Sequence, residues 1–226
     1  SVAPETDASK QLATESVPDF ANVTYTVKDE AGNVVYAYSD KVVAGTEITE
    51  LPADAKRDFC VYSQNAVTVE SGVENVYEVT VSYDLPFELS AEIPGSASWY
   101  TLNTADGQVL AAGLDEYDNE YYVRPEEADA SSQAQQWAFA GSPYEGFKLY
   151  NRDRGQYLLA DNSSDNYGIF VDEGTAWTIS GTADAMQLSS EGQNFYYFED
   201  YGFCMLGEGT TTFSVTYVPQ SASVVI

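Results

Sequence analysis

The fold is decided by the stretch WYTLN at 99–103 followed by GQVLA at 107–111. Both halves return at the same spacing, as FKLYN at 147–151 and GQYLL at 155–159. Each copy then closes on a tryptophan in an apolar run, first Trp137 and then Trp177. A supersecondary unit that recurs after about 40 residues indicates a repeat architecture.

A third, degenerate copy spans 186–215 and closes on Phe213. About four short strands fit each unit, so three units predict about twelve strands. A propeller blade is of similar length, but propellers typically need four or more blades, and only three units are present. The sequence therefore predicts an all-β domain of three repeats over 95–219.

The triplet Gln135-Gln136-Trp137 carries a further signal, because it resembles the Gln-x-Trp signature of the ricin-type β-trefoil family. The matching places at Trp177 and Phe213 keep the aromatic residue without the glutamine. The stretch 136–151 is also similar to accessory trefoil domains of large exported proteins of gut Bacteroidetes. The resemblance implies a C-terminal β-trefoil and a lectin-like role.

One position departs from the family pattern. Galactose-binding members of the family place an aspartate four residues after the glycine that opens the second strand, where this chain has Ala111 and Leu159. Neither side chain accepts a hydroxyl proton, so the family's usual galactose site is not predicted. Asp161 lies two positions further on and would need a bulge to take that place.

The N-terminal part reads as a second β domain. Apolar and polar residues alternate along 23–27 and 76–83, which is typical of half-buried strands. Gly32-Asn33 supplies a hairpin turn between two such runs. We expect a small antiparallel, immunoglobulin-like β-sandwich over 21–94, with a boundary near Pro94, a disordered lead-in at 1–20 and a tail at 220–226.

Composition narrows the possible partners. The 226 residues carry 36 acidic and 9 basic side chains, a formal charge of −27, so nucleic acid is not an expected partner. No apolar run approaches the ~20 residues of a membrane-spanning helix, and we expect no membrane insertion. The lead-in resembles the start of mature exported chains, which predicts a secreted or cell-surface location.

Catalysis has little support in the sequence. The chain has no histidine, which excludes Ser-His-Asp and Cys-His triads, and it has no phosphate-binding glycine motif. Carboxylate pairs such as Glu199-Asp200 are non-specific in so acidic a chain. We expect no enzyme activity, no cofactor and no metal, since the acidic loops do not match a calcium-binding loop. Cys60 and Cys204 are expected as buried thiols, with a disulfide as the alternative.

Binding is better supported, because acids, amides and tyrosines follow the second strand of each unit, as sugar recognition requires. The third loop carries Glu199, Asp200 and Tyr201. We expect a non-catalytic carbohydrate-binding module with other domains of a longer chain as partners. The alternative is a structural spacer or protein-interaction module of a multidomain surface protein. The candidate glycan-binding residues are Asp115, Tyr117, Asp118, Asn119, Tyr121, Gln135, Asp161, Asn162, Asp165 and Tyr167.

Overall fold

The computed structural model describes residues 17–160 and 167–220, which form an all-β structure with two short 3-10 helices. The six N-terminal strands are β1 Phe20–Lys28, β2 Val34–Val43, β3 Glu47–Ile48, β4 Cys60–Tyr62, β5 Val67–Thr68 and β6 Asn75–Tyr83, with a 3-10 helix at Ala53–Ala55. The twelve strands that follow are β7 Tyr100–Thr104, β8 Val109–Asp115, β9 Glu120–Glu126, β10 Trp137–Ser142, β11 Gly146–Asn151, β12 Gln156–Ala160, β13 Gly168–Val171, β14 Thr178–Thr182, β15 Ala185–Ser190, β16 Gln193–Phe198, β17 Phe203–Gly207 and β18 Phe213–Tyr217, with a 3-10 helix at Gln133–Gln135.

The N-terminal domain is a four-stranded sheet in the order β2-β1-β6-β4 beside a two-stranded β3-β5 ribbon. Its alternation is as predicted, since Val23, Tyr25 and Val27 on β1 point into one core with the inward residues of β6. The expected hairpin joins β1 to β2, and Gly32 in its turn has a φ of 87°. The prediction of a purely antiparallel sheet is wrong for one pair of strands. Strands β1 and β6 run parallel, because the connection between them crosses over through β2 to β5.

The repeat domain contains a closed six-stranded barrel. Strand β7 pairs with β10 and β18, β10 with β11, and β15 with both β14 and β18. The bridge between Phe147 and Trp177 joins β11 to the start of β14 and completes the ring. The remaining strands form the hairpins β8-β9, β12-β13 and β16-β17. A barrel of six strands carrying three hairpins is a β-trefoil-like arrangement.

The tryptophans that close the first two units lie in the barrel core. Trp137 and Trp177 are both fully buried. The indole N–H of Trp137 donates to the carbonyl of Leu110 at 2.9 Å, and that of Trp177 donates to the carbonyl of Leu158 at 3.2 Å. Because a buried indole needs an acceptor, these bonds fix the second strand of each unit against its fourth. Leu110 and Leu158 are therefore equivalent positions of the repeat.

The three hairpins meet through one aromatic ring from each unit. The ring of Tyr122 lies 5.0 Å from that of Tyr167 and 4.5 Å from that of Phe203, and the last two are 5.8 Å apart. Two of these contacts are edge-to-face and the one between Tyr122 and Phe203 is tilted. Aromatic contacts of this kind stabilise beyond the area they bury. The triad fixes the relative positions of the hairpins and of the surfaces between them.

The segment that links the domains packs against the barrel. Phe87 stacks on Phe139 with ring centroids 3.9 Å apart, and the backbone N–H of Ser90 donates to the carbonyl of Phe139. Leu85 and Phe59 also pack against the barrel core. The domain ranges with a division at Pro94 stay a prediction, although this packing associates the linking segment with the barrel.

Both cysteines are unpaired. Cys204 is buried in the barrel core as expected, and burial raises the pKa of its thiol. Cys60 is only partly buried, which corrects the expectation of two buried thiols, because β4 is an edge strand of its sheet. No helix among the described residues is long and apolar enough to cross a membrane.

Candidate functional site

Two grooves occupy equivalent places in the repeat, each between the hairpin of one unit and the first turn of the next. Pro125 pairs with Leu110 on one side of the barrel, and Phe170 pairs with Leu158 in the next unit. Since Leu110 and Leu158 are equivalent, Pro125 and Phe170 are equivalent too. Pro125 lines one groove and Phe170 lines the other.

The first groove, called the Arg154 groove here, has a volume of about 310 Å³. Its main feature is a stacked pair, since the guanidinium carbon of Arg154 lies 3.6 Å from the ring centroid of Tyr121. This distance is well inside the range of a cation–π contact. The groove is lined by Glu120, Tyr121, Tyr122, Arg154, Gln156, Ile169 and Phe170.

The turn between β11 and β12 holds Arg154 in place. Asn151 is fully buried, its side-chain carbonyl accepts the backbone N–H of Arg154 at 3.1 Å, and its amide donates to the carbonyl of Ala134 at 2.8 Å. Gly155 follows with a φ of 63°, a backbone conformation that side chains disfavour. The side-chain amide of Gln156 donates to Asp172 at 3.1 Å on the neighbouring strand end. The groove is thus built on a buried polar support.

The second groove, called the Glu199 groove here, is larger, with a volume of about 580 Å³. It is lined by residues 104–106, Pro125, 197–200 and 210–212. The side chains of Asp106, Glu199 and Asp200 bring carboxylates to it, and Tyr197 and Phe198 bring aromatic rings. A hydrogen bond from the hydroxyl of Thr104 lowers the pKa of Asp106. The groove combines apolar rings with hydrogen-bonding oxygens, the mixture that sugar recognition uses.

Four predicted residues lie together at the tip of the β8-β9 hairpin. Asp115 accepts the backbone N–H of Tyr117 at 2.7 Å. Asp118 accepts the backbone N–H of Glu120 at 3.0 Å and the hydroxyl of Tyr122 at 2.6 Å. Asn119 has a φ of 62°, which asparagine tolerates better than most residues. These three residues shape the tip, whereas Tyr117 is 99 % exposed at its end.

The other predicted residues are dispersed. Tyr121 lies in the Arg154 groove beneath the guanidinium, and Tyr167 belongs to the aromatic triad. Gln135 is 3 % exposed; its amide donates to the carbonyl of Glu127 and its side-chain oxygen accepts the N–H of Asp129, both at 2.8 Å. Gln135 therefore has no surface left for a ligand. Asp161, Asn162 and Asp165 lie outside the described residues.

Several groove residues were not among the predicted site residues. In the sequence Arg154 lies close to Lys148 and Arg152, a spacing that does not indicate a binding site. Phe170 and the segment 210–212, which also line the grooves, carry no motif. Asp106 lies in a turn before the repeated glycine. The alignment of the repeats could have indicated these residues, because equivalent positions of neighbouring units meet at equivalent grooves.

Among the described residues no group of three or more cysteine, aspartate or glutamate side chains is arranged to hold a metal ion. At the two positions where the family carries its aspartate, Ala111 is fully buried and Leu159 is partly buried. Both contribute only apolar surface. Sugar recognition in this chain would thus use different side chains from the family's galactose site.

No protein-family model matches the chain, and no curated protein matches its sequence. Similar solved structures include an endo-β-galactosidase from Clostridium perfringens that releases GlcNAcα1-4Gal (14% identity, TM-score 0.45), for which the match covers 54% of this chain and 33% of the enzyme. The chain therefore spans a third of that enzyme's length. A ricin B-like lectin of Macrolepiota procera, solved with lactose, is 19% identical, with a TM-score of 0.39 and coverage of 59% and 92%. A designed threefold-symmetric protein, ThreeFoil, is 16% identical, with a TM-score of 0.40 and coverage of 54% and 99%. The barrel assignment above rests on the strand pairing of this chain.

Proposed function

We propose that the chain is a non-catalytic carbohydrate-binding module of an exported bacterial protein, in keeping with the family resemblance of its sequence. The observation that carries the proposal is the pair of equivalent grooves, each with an aromatic residue beside oxygen or nitrogen hydrogen-bonding groups. Sugars present an apolar C–H patch that packs on such rings, and hydroxyls that such groups bind. The export and its gut Bacteroidetes setting rest on the resemblance alone.

A glycan array probed with the full chain tests the proposal, followed by calorimetric titration of each hit. Glu199→Gln should weaken binding in the Glu199 groove about tenfold, because a carboxylate that accepts hydroxyl protons becomes neutral. Glu173→Gln removes the same charge from an exposed residue outside both grooves and should leave the affinity unchanged. A chain that binds no glycan on the array would contradict the proposal.

Of the known enzyme sites, the Glu199 groove most resembles that of a glycosidase that uses a pair of carboxylates, because Asp106, Glu199 and Asp200 line it together. A general acid of that kind needs a raised pKa. The pKa of Asp106 is instead lowered by the hydroxyl of Thr104, and all three residues are exposed. We therefore propose binding without hydrolysis. Release of reducing ends from any array hit by the full chain would overturn this part of the proposal.

The alternative role, a spacer or protein-interaction module, is favoured by the bonded interface between the two domains. The backbone N–H of Gly181 donates to Asp58 at 2.8 Å, and Tyr144 contacts Tyr62 across the same boundary. Such an interface holds the two domains in a fixed orientation. If the chain is a rigid spacer, we expect that it binds no glycan on the array and that the two domains unfold in a single transition.

A further inference from the structure

Arg154 is the polar group in the Arg154 groove whose side-chain donors the fold leaves largely unused. In the described part of the chain its guanidinium stacks on Tyr121, and its one ion pair joins Nη1 to Oδ2 of the adjacent Asp153 at 3.7 Å. Its Nε atom is buried without a hydrogen-bond partner. A buried donor left unpaired costs free energy and is uncommon in folded proteins. Among the described residues, the long contact with Asp153 is the one ion pair of this guanidinium, which leaves donors for an acceptor that enters the groove.

The geometry of Arg154 suits a planar anionic acceptor. A guanidinium carries five N–H donors in a rigid fork that matches the two oxygens of a carboxylate. Stacking on Tyr121 restricts this side chain, and the backbone N–H of Arg154, which donates to the side-chain carbonyl of Asn151, fixes its place in the turn. Less entropy is then lost when a ligand binds. The Asp153 contact is long and solvent-exposed, so an incoming carboxylate can displace it at small cost.

The equivalent groove carries only acidic charge, whereas the Arg154 groove carries one acid, Glu120, beside its arginine. Asp106, Glu199 and Asp200 line the Glu199 groove, and none of its lining residues is basic. Like charges raise the free energy of an acidic ligand placed there. An acidic sugar would thus bind at Arg154 in preference to the equivalent place one unit away.

We propose that the Arg154 groove binds the carboxylate of a hexuronic acid residue in an acidic glycan. Arg154 pairs with the carboxylate, while Phe170 and Ile169 supply apolar surface for the sugar ring. This inference rests on the proposed carbohydrate-binding function and names the class of sugar that one of its grooves selects.

The test compares pairs of ligands that differ in one group. The full chain is titrated calorimetrically with a panel of uronic-acid disaccharides, each matched with its carboxyl-reduced neutral counterpart. We expect at least one acidic member to bind about ten times more tightly than its neutral partner, because one charge-assisted bidentate contact separates them. Arg154→Gln should abolish this preference, so that the acidic and the neutral member of each pair bind with affinities within about twofold of each other.

Two further variants separate the site from bulk charge and from misfolding. Lys148→Gln removes the same charge from an exposed residue outside the groove and should keep the preference. Arg154→Lys keeps the charge but lacks the planar fork of donors, and it should retain part of the preference for the acidic sugar. Equal binding of both members of every pair, or a preference that survives Arg154→Gln, overturns the inference while the carbohydrate-binding function stands. Failure of every acidic and neutral member of this panel overturns the inference as well, whereas the carbohydrate-binding function is decided by the glycan array.

Discussion

The hydroxyl groups of Tyr62 and Tyr144 lie 2.6 Å apart across the boundary between the two domains. Tyr144 belongs to the turn between β10 and β11, and its hydroxyl also contacts the carbonyl of Ala55 at 2.9 Å. The guanidinium of Arg57 lies 5.2 Å from the centroid of the Tyr144 ring. One turn of the barrel is thereby bonded into the N-terminal domain, and the two grooves keep a fixed direction relative to it.

Tyr144→Phe should lower the free energy of unfolding by about 1–2 kcal/mol, because it leaves the hydroxyl of Tyr62 and the carbonyl of Ala55 without their partner. Chemical denaturation of the full chain measures the change. Tyr217→Phe is the matched control, since Tyr217 is 51 % exposed and should give a change near zero. Equal values for the two variants would show that the interdomain bond does not contribute to stability.

Phe87→Ala should lower the free energy of unfolding by about 3–5 kcal/mol, as expected for truncating a buried phenylalanine. Phe87 is 4 % exposed and contacts Phe139 and Phe147 in the barrel. Leu89→Ala serves as the control, because Leu89 is 37 % exposed and should lose much less. Small and equal losses in the two variants would mean that the barrel does not depend on the packing of Phe87.

Much of the fold could be predicted from the sequence, because strand alternation and repeat spacing are local patterns. The β1-β2 turn at Gly32, the buried Trp137 and Trp177, and the three units all follow from such patterns. The parallel pairing of β1 with β6 could not, since it joins residues about 50 positions apart with no local sign of direction. The packing of Phe87 into the barrel is long-range in the same way.

The candidate site was predictable only in part. The hairpin tip around Tyr117 followed from composition, but the sequence could not distinguish an acid that shapes its own turn, such as Asp118, from one that faces a ligand. Gln135 belongs to the Gln-x-Trp signature, but in this structure its side chain is buried and makes hydrogen bonds within the fold. Arg154 and Tyr121 are distant in sequence, and only the barrel register brings their side chains together.

Tyr117→Ala separates binding from stability at the hairpin tip. Because Tyr117 is 99 % exposed, its loss should change the free energy of unfolding by no more than about 0.5 kcal/mol. If the tip contributes an aromatic surface to a bound glycan, the affinity for array hits should fall about tenfold. Tyr117→Phe keeps the ring and should keep most of the affinity. Unchanged binding in the alanine variant would remove Tyr117 from the candidate glycan-binding residues.

Alkaline titration should reveal tyrosines that ionise late in the folded chain, and the largest increases in pKa belong to Tyr144 and Tyr122. Burial, followed by the hydrogen bond to Tyr62, raises the pKa of Tyr144 above the ordinary value of 10.0. Burial, followed by the bond to Asp118, raises that of Tyr122. A raised folded-state pKa contributes stability that is present below pH 10 and is lost as the pH rises above it. The phenolate absorbance of the folded chain at pH 11 should therefore fall short of that in denaturant, and Tyr144→Phe should reduce the shortfall. Complete ionisation of the folded chain at pH 11 would contradict the prediction.

Thiol labelling checks how differently the two cysteines are placed. Burial raises the pKa of both thiols, but Cys204 lies in the barrel core whereas Cys60 is partly exposed on an edge strand. Because the thiolate is the reactive form, an aromatic disulfide reagent at pH 8 should label Cys60 slowly and should not label Cys204 until the barrel opens. Cys60→Ala should then show no labelling under native conditions and one thiol in denaturant. Rapid labelling of Cys204 in the native protein would mean that the β16-β17 hairpin opens readily, and the aromatic triad at Tyr122 could not then hold the grooves in place.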